Sequence, residues 1–138
     1  MQREIKFRGQ RVNTKEWVYG YYVVNDDKES FIITEFYSWE TICSDCAMPQ
    51  FDSYQVIPET VGEYIGLPDK NGKEIYEGDI IHIGDKNIPY IVEWHDNGFM
   101  GKAVRASDRI GLTYWNDRIE VIGNIYEKQQ LLKEATHD

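Results

Sequence analysis

Cysteine, histidine and proline are scarce in this 138-residue chain, with two, three and four residues respectively. Two thiols can hold only one side of a zinc ion, and a closed site needs two more ligands. His82, His95 and His137 stand in no ligand-like spacing, so no metal or other cofactor is expected. No apolar run reaches the roughly 20 residues that cross a bilayer as a helix, so no membrane span is expected. The opening Met1–Arg8 alternates apolar and charged residues and has no signal-peptide core. The expected location is therefore the cytoplasm, where both cysteines stay reduced. No phosphate-cradling loop is present, because Gly62-Glu63-Tyr64-Ile65-Gly66 is not followed by Lys-Ser/Thr. None of the serines, at 30, 38, 44, 53 and 107, lies in a nucleophile elbow. A basic excess is also missing. Acidic residues outnumber basic ones 24 to 15, for a net charge of −9, and such a surface repels nucleic-acid phosphate. Internal repeats and low-complexity stretches are absent.

Aromatic residues are what the chain has in quantity. They make up 14% of it within a hydrophobic fraction of 41%, enough to bury a core. Trp17–Val24 is dense in aromatic and β-branched residues, which suit a pleated surface and lose rotamer freedom in a helix. Asn25-Asp26-Asp27-Lys28 is a turn signal, and Phe31–Tyr37 reads as the returning strand. Residues 38–53 read as strand extension or loop, and Pro49 is expected to break regular structure there. Tyr54–Ile57 is a further strand ended by Pro58. Pro68-Asp69-Lys70-Asn71-Gly72-Lys73 is a turn, followed by a strand ending in Ile80-Ile81-His82-Ile83. There His82 alternates with two isoleucines and is expected to face solvent. Pro89–Trp94 and Phe99–Arg105 flank Asn97-Gly98, a strong hairpin cue, and Ile119–Ile125 alternates as a last strand.

Short strands with a turn about every ten residues indicate a mainly β chain rather than βαβ units. The expectation is one domain built of two small antiparallel β units. Residues 1–57 form the first, 58–76 link it to the second, and 77–126 form an SH3-like barrel. Residues 127–138, with Leu131, Leu132 and Ala135, form a short helix or tail.

Three stretches resemble the YopX family of phage and prophage proteins. The central one runs Pro58-Glu59-Thr60-Val61-Gly62-Glu63-Tyr64-Ile65-Gly66-Leu67-Pro68-Asp69-Lys70-Asn71-Gly72-Lys73-Glu74-Ile75-Tyr76-Glu77-Gly78-Asp79-Ile80. The flanking ones are Arg3–Arg8 and Ile119–Glu127. The chain departs from the family at Gly9-Gln10-Arg11, where members tend to carry Ala-Trp-Asp, and Asp26–Tyr54 takes no part in the resemblance. The resemblance implies a phage or prophage origin and a mainly β fold. It supplies no catalytic residue, because the family has none assigned. Turn chemistry and core patterning account for most of the signature's residue types.

Candidate sites follow from residue type. Cys43-Ser44-Asp45-Cys46 is a lone C-x-x-C, read first as two reduced thiols and second as part of a metal or redox site. Asp79, His82, Asp85, His95 and Asp96 could cluster for a metal or for acid–base work, though Asp85 and Asp96 sit where turns favour Asp. Tyr64, Asp69, Asn71 and Tyr76 of the signature, with Trp94, are the surface candidates for binding. Tyr19, Tyr21, Tyr22, Tyr37, Trp39, Tyr54 and Tyr64 could stack bases, yet core packing explains them as well. Charge is asymmetric. Residues 1–15 carry +4, while residues 25–59 hold eight acids against Lys28 alone, which suggests intramolecular pairing or a homo-oligomer.

No nucleophile, base and orienting partner assemble, so no enzyme is expected. The expected function is a non-enzymatic protein-interaction module with an unknown protein partner, in one form a DNA mimic. The alternative is a nucleic-acid-binding small barrel, an analogy at the level of fold.

Overall fold

The structure, a computed structural model, describes residues 4–43 and 46–127, with the side chains of 36–49 outside that description. It divides into two compact units, Ile5–Glu63 and Tyr64 onward, with Glu4 assigned to the latter. Every strand pairing is antiparallel.

The N-terminal unit contains β1 (Phe7–Gln10), β2 (Trp17–Val24), β3 (Ser30–Cys43), β4 (Cys46–Val56) and the start of β5 (Gly62–Pro68). β2 lies between β1 and β3, and β4 pairs on the far side of β3. The strand expected at Trp17–Val24 forms with those bounds. The return strand is twice the expected length. β2 accompanies β3 only from Ser30 to Ile33, while β3 and β4 continue together out to Cys43 and Cys46. Three register shifts interrupt this ribbon, after Ile33, Phe36 and Thr41, and such shifts bend and twist a ladder. Pro49 does not break the strand as expected. It pairs in register with Trp39, which is tolerated because β4 is an edge strand whose outer N–H positions need no partner. Pro58 instead opens a 3-10 turn, Pro58–Thr60, where its missing N–H costs nothing.

Alternation along β2 sends Tyr22 toward Ile32 and Val56, which are 0% and 1% exposed. Phe7 packs on Tyr22 with ring centroids 5.6 Å apart. The end of β4 returns to the end of β1 through the bridge Arg11↔Val56, and Gln10 O accepts from Ile57 N at 2.9 Å. Thr60 Oγ1 fastens this corner by accepting from Gln10 N at 2.9 Å.

The C-terminal unit holds the rest of β5, β6 (Glu74–Tyr76), β7 (Asp79–His82), β8 (Tyr90–His95), β9 (Gly98–Ala103), β10 (Arg109–Gly111) and β11 (Glu120–Asn124), with a single-turn helix α1 (Leu112–Trp115). β5 pairs β6, and the five-stranded sheet runs β10-β9-β8-β7-β11. The last strand thus returns beside the first. The barrel expected over 77–126 is nevertheless an open sheet among the described residues, because no ladder joins β10 to β11. The core comprises Ile65, Ile75, Ile81, Val92, Leu112, Ile119 and Val121. The expected strand through Ile83 breaks in two at Gly78, whose φ is +89°. A Cβ there would meet the Tyr126 ring at 2.9 Å. The hairpin predicted at Asn97-Gly98 forms one residue early. Asp96 and Asn97 take φ of +49° and +70°, His95 pairs with Gly98, and Asp and Asn tolerate this turn better than most residues. β10 and α1 were not expected, since three or four residues are too few to show a period. The helix or tail expected at 127–138 lies outside the described residues apart from Glu127.

Candidate interaction surface

The side of β2 opposite its core face carries Trp17, Tyr19, Tyr21 and Val23, because successive strand residues alternate sides. Tyr19 is 45%, Tyr21 66% and Val23 41% exposed. Cross-strand partners share a side, so Tyr21 brings Ile33 and Ser53 to this face, and Val23 brings Phe31 and Gln55. The result is a three-stranded aromatic and aliphatic face with Ser53 and Gln55 along β4.

A carboxylate is fixed at its rim. Glu29 Oε1 accepts from Asn25 Nδ2 at 2.9 Å, and Oε2 accepts from Gln55 Nε2 at 3.2 Å. The Glu29 backbone N–H donates to Asn25 Oδ1 at 2.9 Å, which closes the turn. Asp26 and Asp27, in the turn between β2 and β3, are exposed. Two cations of the basic opening, Arg8 and Arg11, are already engaged with aromatic rings. Arg8 is buried with its guanidinium 4.6 Å from the Trp17 ring, and Arg11 lies 4.4 Å from the Tyr54 ring.

The binding candidates read from the sequence lie in the C-terminal unit, and three are not at the surface. Tyr64, Tyr76 and Asp69 are 8%, 2% and 5% exposed. Tyr64 and Tyr76 pack ring on ring at 5.6 Å, and the Tyr76 hydroxyl donates to Glu74 Oε1 at 2.8 Å. Asp69 is a fastener. Its Oδ1 accepts from Asn71 N and Lys73 N at 2.8 and 2.9 Å, and its Oδ2 accepts from Val121 N on β11 at 3.0 Å. Burial pushes its pKa up, but the three N–H donors and Lys73 outweigh that and hold it below the ordinary carboxylate value. Asn71 is exposed at the tip of the turn. Trp94 is 52% exposed and meets Phe99 edge-on at 4.9 Å.

The acidic and imidazole side chains that could have clustered are dispersed. Asp79 is buried, with Oδ2 accepting from Tyr76 N at 2.8 Å. Asp85 caps its own turn by accepting from Asn87 N at 2.9 Å. His95 Nε2 lies 3.1 Å from Asp96 Oδ2. His82 is 2% exposed rather than solvent-facing, with Glu120 of β11 directly opposite it and the Gly84 backbone against its ring. The Gly84 N–H donates to His82 Nδ1 at 3.0 Å. The ring proton therefore sits on Nε2 and is donated to Glu120 Oε1 at 3.0 Å. Lys70 Nζ lies 3.5 Å from the same oxygen. Desolvation raises the Glu120 pKa, while Lys70 and His82 lower it by more, leaving it below the ordinary value. Among the described residues no three His, Cys, Asp or Glu side chains are grouped to hold a metal. Cys43 and Cys46 pair in register at the ribbon's end; their side chains, and Ser44 and Asp45, lie outside the described residues.

A shallow groove of about 300 Å³ lies against Tyr114, Trp115, Asp117 and Arg118. Tyr114 is 81% exposed and meets Trp115 edge-on at 5.0 Å. The groove matches no candidate read from the sequence, whereas Tyr19 and Tyr21 are among the aromatics read there as possible base-stacking residues. A signal for the face was present, since Trp17-Tyr19-Tyr21-Val23 and Val18-Gly20-Tyr22-Val24 are both apolar rows and a single sheet's core covers only one.

A family model described as YopX protein matches residues 6–133. The solved structure of protein EF1440 from Enterococcus faecalis is similar over 95% of this chain and 99% of its own, with a TM-score of 0.66 at 24% identity. That likeness carries the fold alone. No curated protein matches the chain. No helix among the described residues is long and apolar enough to cross a membrane.

Proposed function

We propose that this chain, which belongs to the YopX family, is a non-enzymatic protein-interaction module. In this reading it is a phage or prophage accessory protein working in the bacterial host cytoplasm. One observation carries the proposal: the Tyr19–Tyr21–Val23 row lies outside the core of its own sheet, with Tyr21 66% exposed. Exposed tyrosines on a rigid strand give large contact area with little side-chain entropy to lose, which is why they concentrate at protein interfaces. The DNA-mimic form of the proposal draws on the exposed carboxylates of Asp26, Asp27, Glu29, Glu35 and Glu59. The nucleic-acid alternative draws on the basic first segment, and it is weakened because Arg8 and Arg11 already lie on aromatic rings.

The test is affinity capture from bacterial lysate with the full chain as bait, with and without nuclease, beside the Tyr21→Ala variant. A partner that survives nuclease and is lost with Tyr21→Ala is the expected result. Capture that vanishes with nuclease would favour the nucleic-acid reading. Capture unchanged by Tyr21→Ala would remove this face from the proposal.

A further inference from the structure

We infer that the occupant of the Tyr19–Tyr21–Val23 face is a Lys/Arg-bearing protein segment, an inference that rests on the interaction-module reading above. Charge complementarity selects it. The unit Ile5–Glu63 holds ten acidic residues and five basic ones, a net −5. Two of the five, Arg8 and Arg11, are stacked on Trp17 and Tyr54 of the same unit. A second copy of the chain would bring another −9 to the face, and a nucleic acid would bring phosphates, so both meet repulsion where a basic segment meets attraction.

The fixed geometry of Glu29 makes the selection sharper. Its carboxylate is held from two sides by Asn25 and Gln55, and Gln55 shares its side of the sheet with Phe31 and Val23. A cationic head reaching Glu29 therefore meets an acceptor whose orientation is set before binding, which lowers the entropy lost on association. The aliphatic stem of that lysine or arginine would cross Val23 and Phe31, and a neighbouring cation would lie over the exposed Tyr21 ring. The unit already uses this chemistry internally, with its own guanidinium groups 4.6 and 4.4 Å from aromatic rings. Asp26 and Asp27, exposed where β2 ends, extend the acidic rim.

The experiment is fluorescence anisotropy of three labelled probes against the full chain across a salt series: a short Arg/Ala peptide, its Glu/Ala counterpart and a single-stranded DNA oligonucleotide. Binding of the Arg/Ala peptide alone is expected. Tyr21→Ala and Glu29→Gln should each weaken it by about tenfold, a size typical of a central contact residue. Asp108→Asn, exposed between β9 and β10 in the other unit, should leave it unchanged. Equal weakening by the two carboxylate variants, with Tyr21→Ala without effect, would reduce the binding to bulk charge and overturn the inference. So would absence of Arg/Ala binding at low salt, or binding of the DNA. If the peptide fails while lysate capture still depends on Tyr21, the basic-partner inference falls and the interaction-module reading stands. If capture is also indifferent to Tyr21, both fall.

Discussion

The two units use antiparallel strands in opposite ways. From Tyr64 to Glu127 the strands and α1 pack around a cluster of seven buried apolar residues, and the buried polar groups of this unit act as fasteners. Asp69 ties a turn to β11, Asp79 ties β7 to β6, and His82 ties β7 to β11 and to its own loop. From Ile5 to Glu63 the fully buried apolar side chains among the described residues are Ile32 and Val56, while Tyr19, Tyr21 and Val23 remain exposed on the other side. Beyond Ile33 its ladder narrows to the two strands of the β3–β4 ribbon, and a two-stranded ribbon is marginal in water without further packing. The contrast separates fold specification from presentation. The YopX-like signature falls mainly in the unit that specifies itself, and Asp26–Tyr54, which carries none of the signature stretches although the family model spans it, forms about half of the unit that presents a surface.

Breaking each unit at its own fastening point tests the contrast most severely. Asp69→Ala strips an acceptor from three backbone N–H groups. It should cost about 3 kcal/mol, as expected for charge-assisted bonds lost from a buried site. Gly20→Ala should cost about 2 kcal/mol, because a Cβ there would fall inside the contact distance of the Ile33 carbonyl oxygen, which cannot move without disturbing the ladder. Urea denaturation followed by hydrogen exchange locates each loss. Asp69→Ala should remove protection first from β7 and β11, and Gly20→Ala first from β2 and β3. Identical loss across both units from either variant would show one cooperative body and dissolve the contrast.

Acid sharpens the same distinction with a smaller effect. The folded-state pKa of Asp69 is depressed. Its contribution is therefore complete above the unfolded-state value near pH 4 and is lost as pH falls through the lower folded value. Glu120, also depressed but more exposed, adds in the same direction. Thermal melts stepped down from neutral pH should show the C-terminal unit weakening below about pH 4. Asp69→Asn should flatten that limb, and an unchanged limb would mean that other carboxylates dominate.

Much of this division was legible in the residues, and the failures have physical causes. β2 was read with its observed bounds because aromatic and β-branched density is a local property. The turn at Pro68–Lys73 was read from Asn71-Gly72, but the role of Asp69 was not, because its third partner is Val121, 52 positions away. His82 was misplaced for the same reason. Alternation fixes which side of a strand a residue takes, and whether that side is covered depends on β11 arriving from the far end of the chain. Pro49 misled because its penalty depends on whether the strand is central or at the edge, which is a property of the sheet. The surface candidates erred toward the signature. Tyr64 and Tyr76 look like exposed aromatics in a turn-rich segment, and they are each other's packing partners.

The smallest expected effect on stability is also the most decisive for function. Tyr21 is 66% exposed on the side of β2 away from Ile32 and Val56, so Tyr21→Ala should change unfolding free energy by only about 0.5 kcal/mol. Replacing Tyr22, one position along, should be far more damaging, because its ring meets Phe7 at 5.6 Å and its hydroxyl lies 3.1 Å from Ser30 Oγ. Tyr22→Ala should cost about 3 kcal/mol. Paired chemical denaturation of the two variants reads the sidedness of the sheet directly. A near-neutral Tyr21→Ala that still abolishes partner capture would separate binding from folding at a single residue. A Tyr21→Ala as costly as Tyr22→Ala would mean that the outer face is itself packed and unavailable, and the interaction surface would have to be sought on other residues.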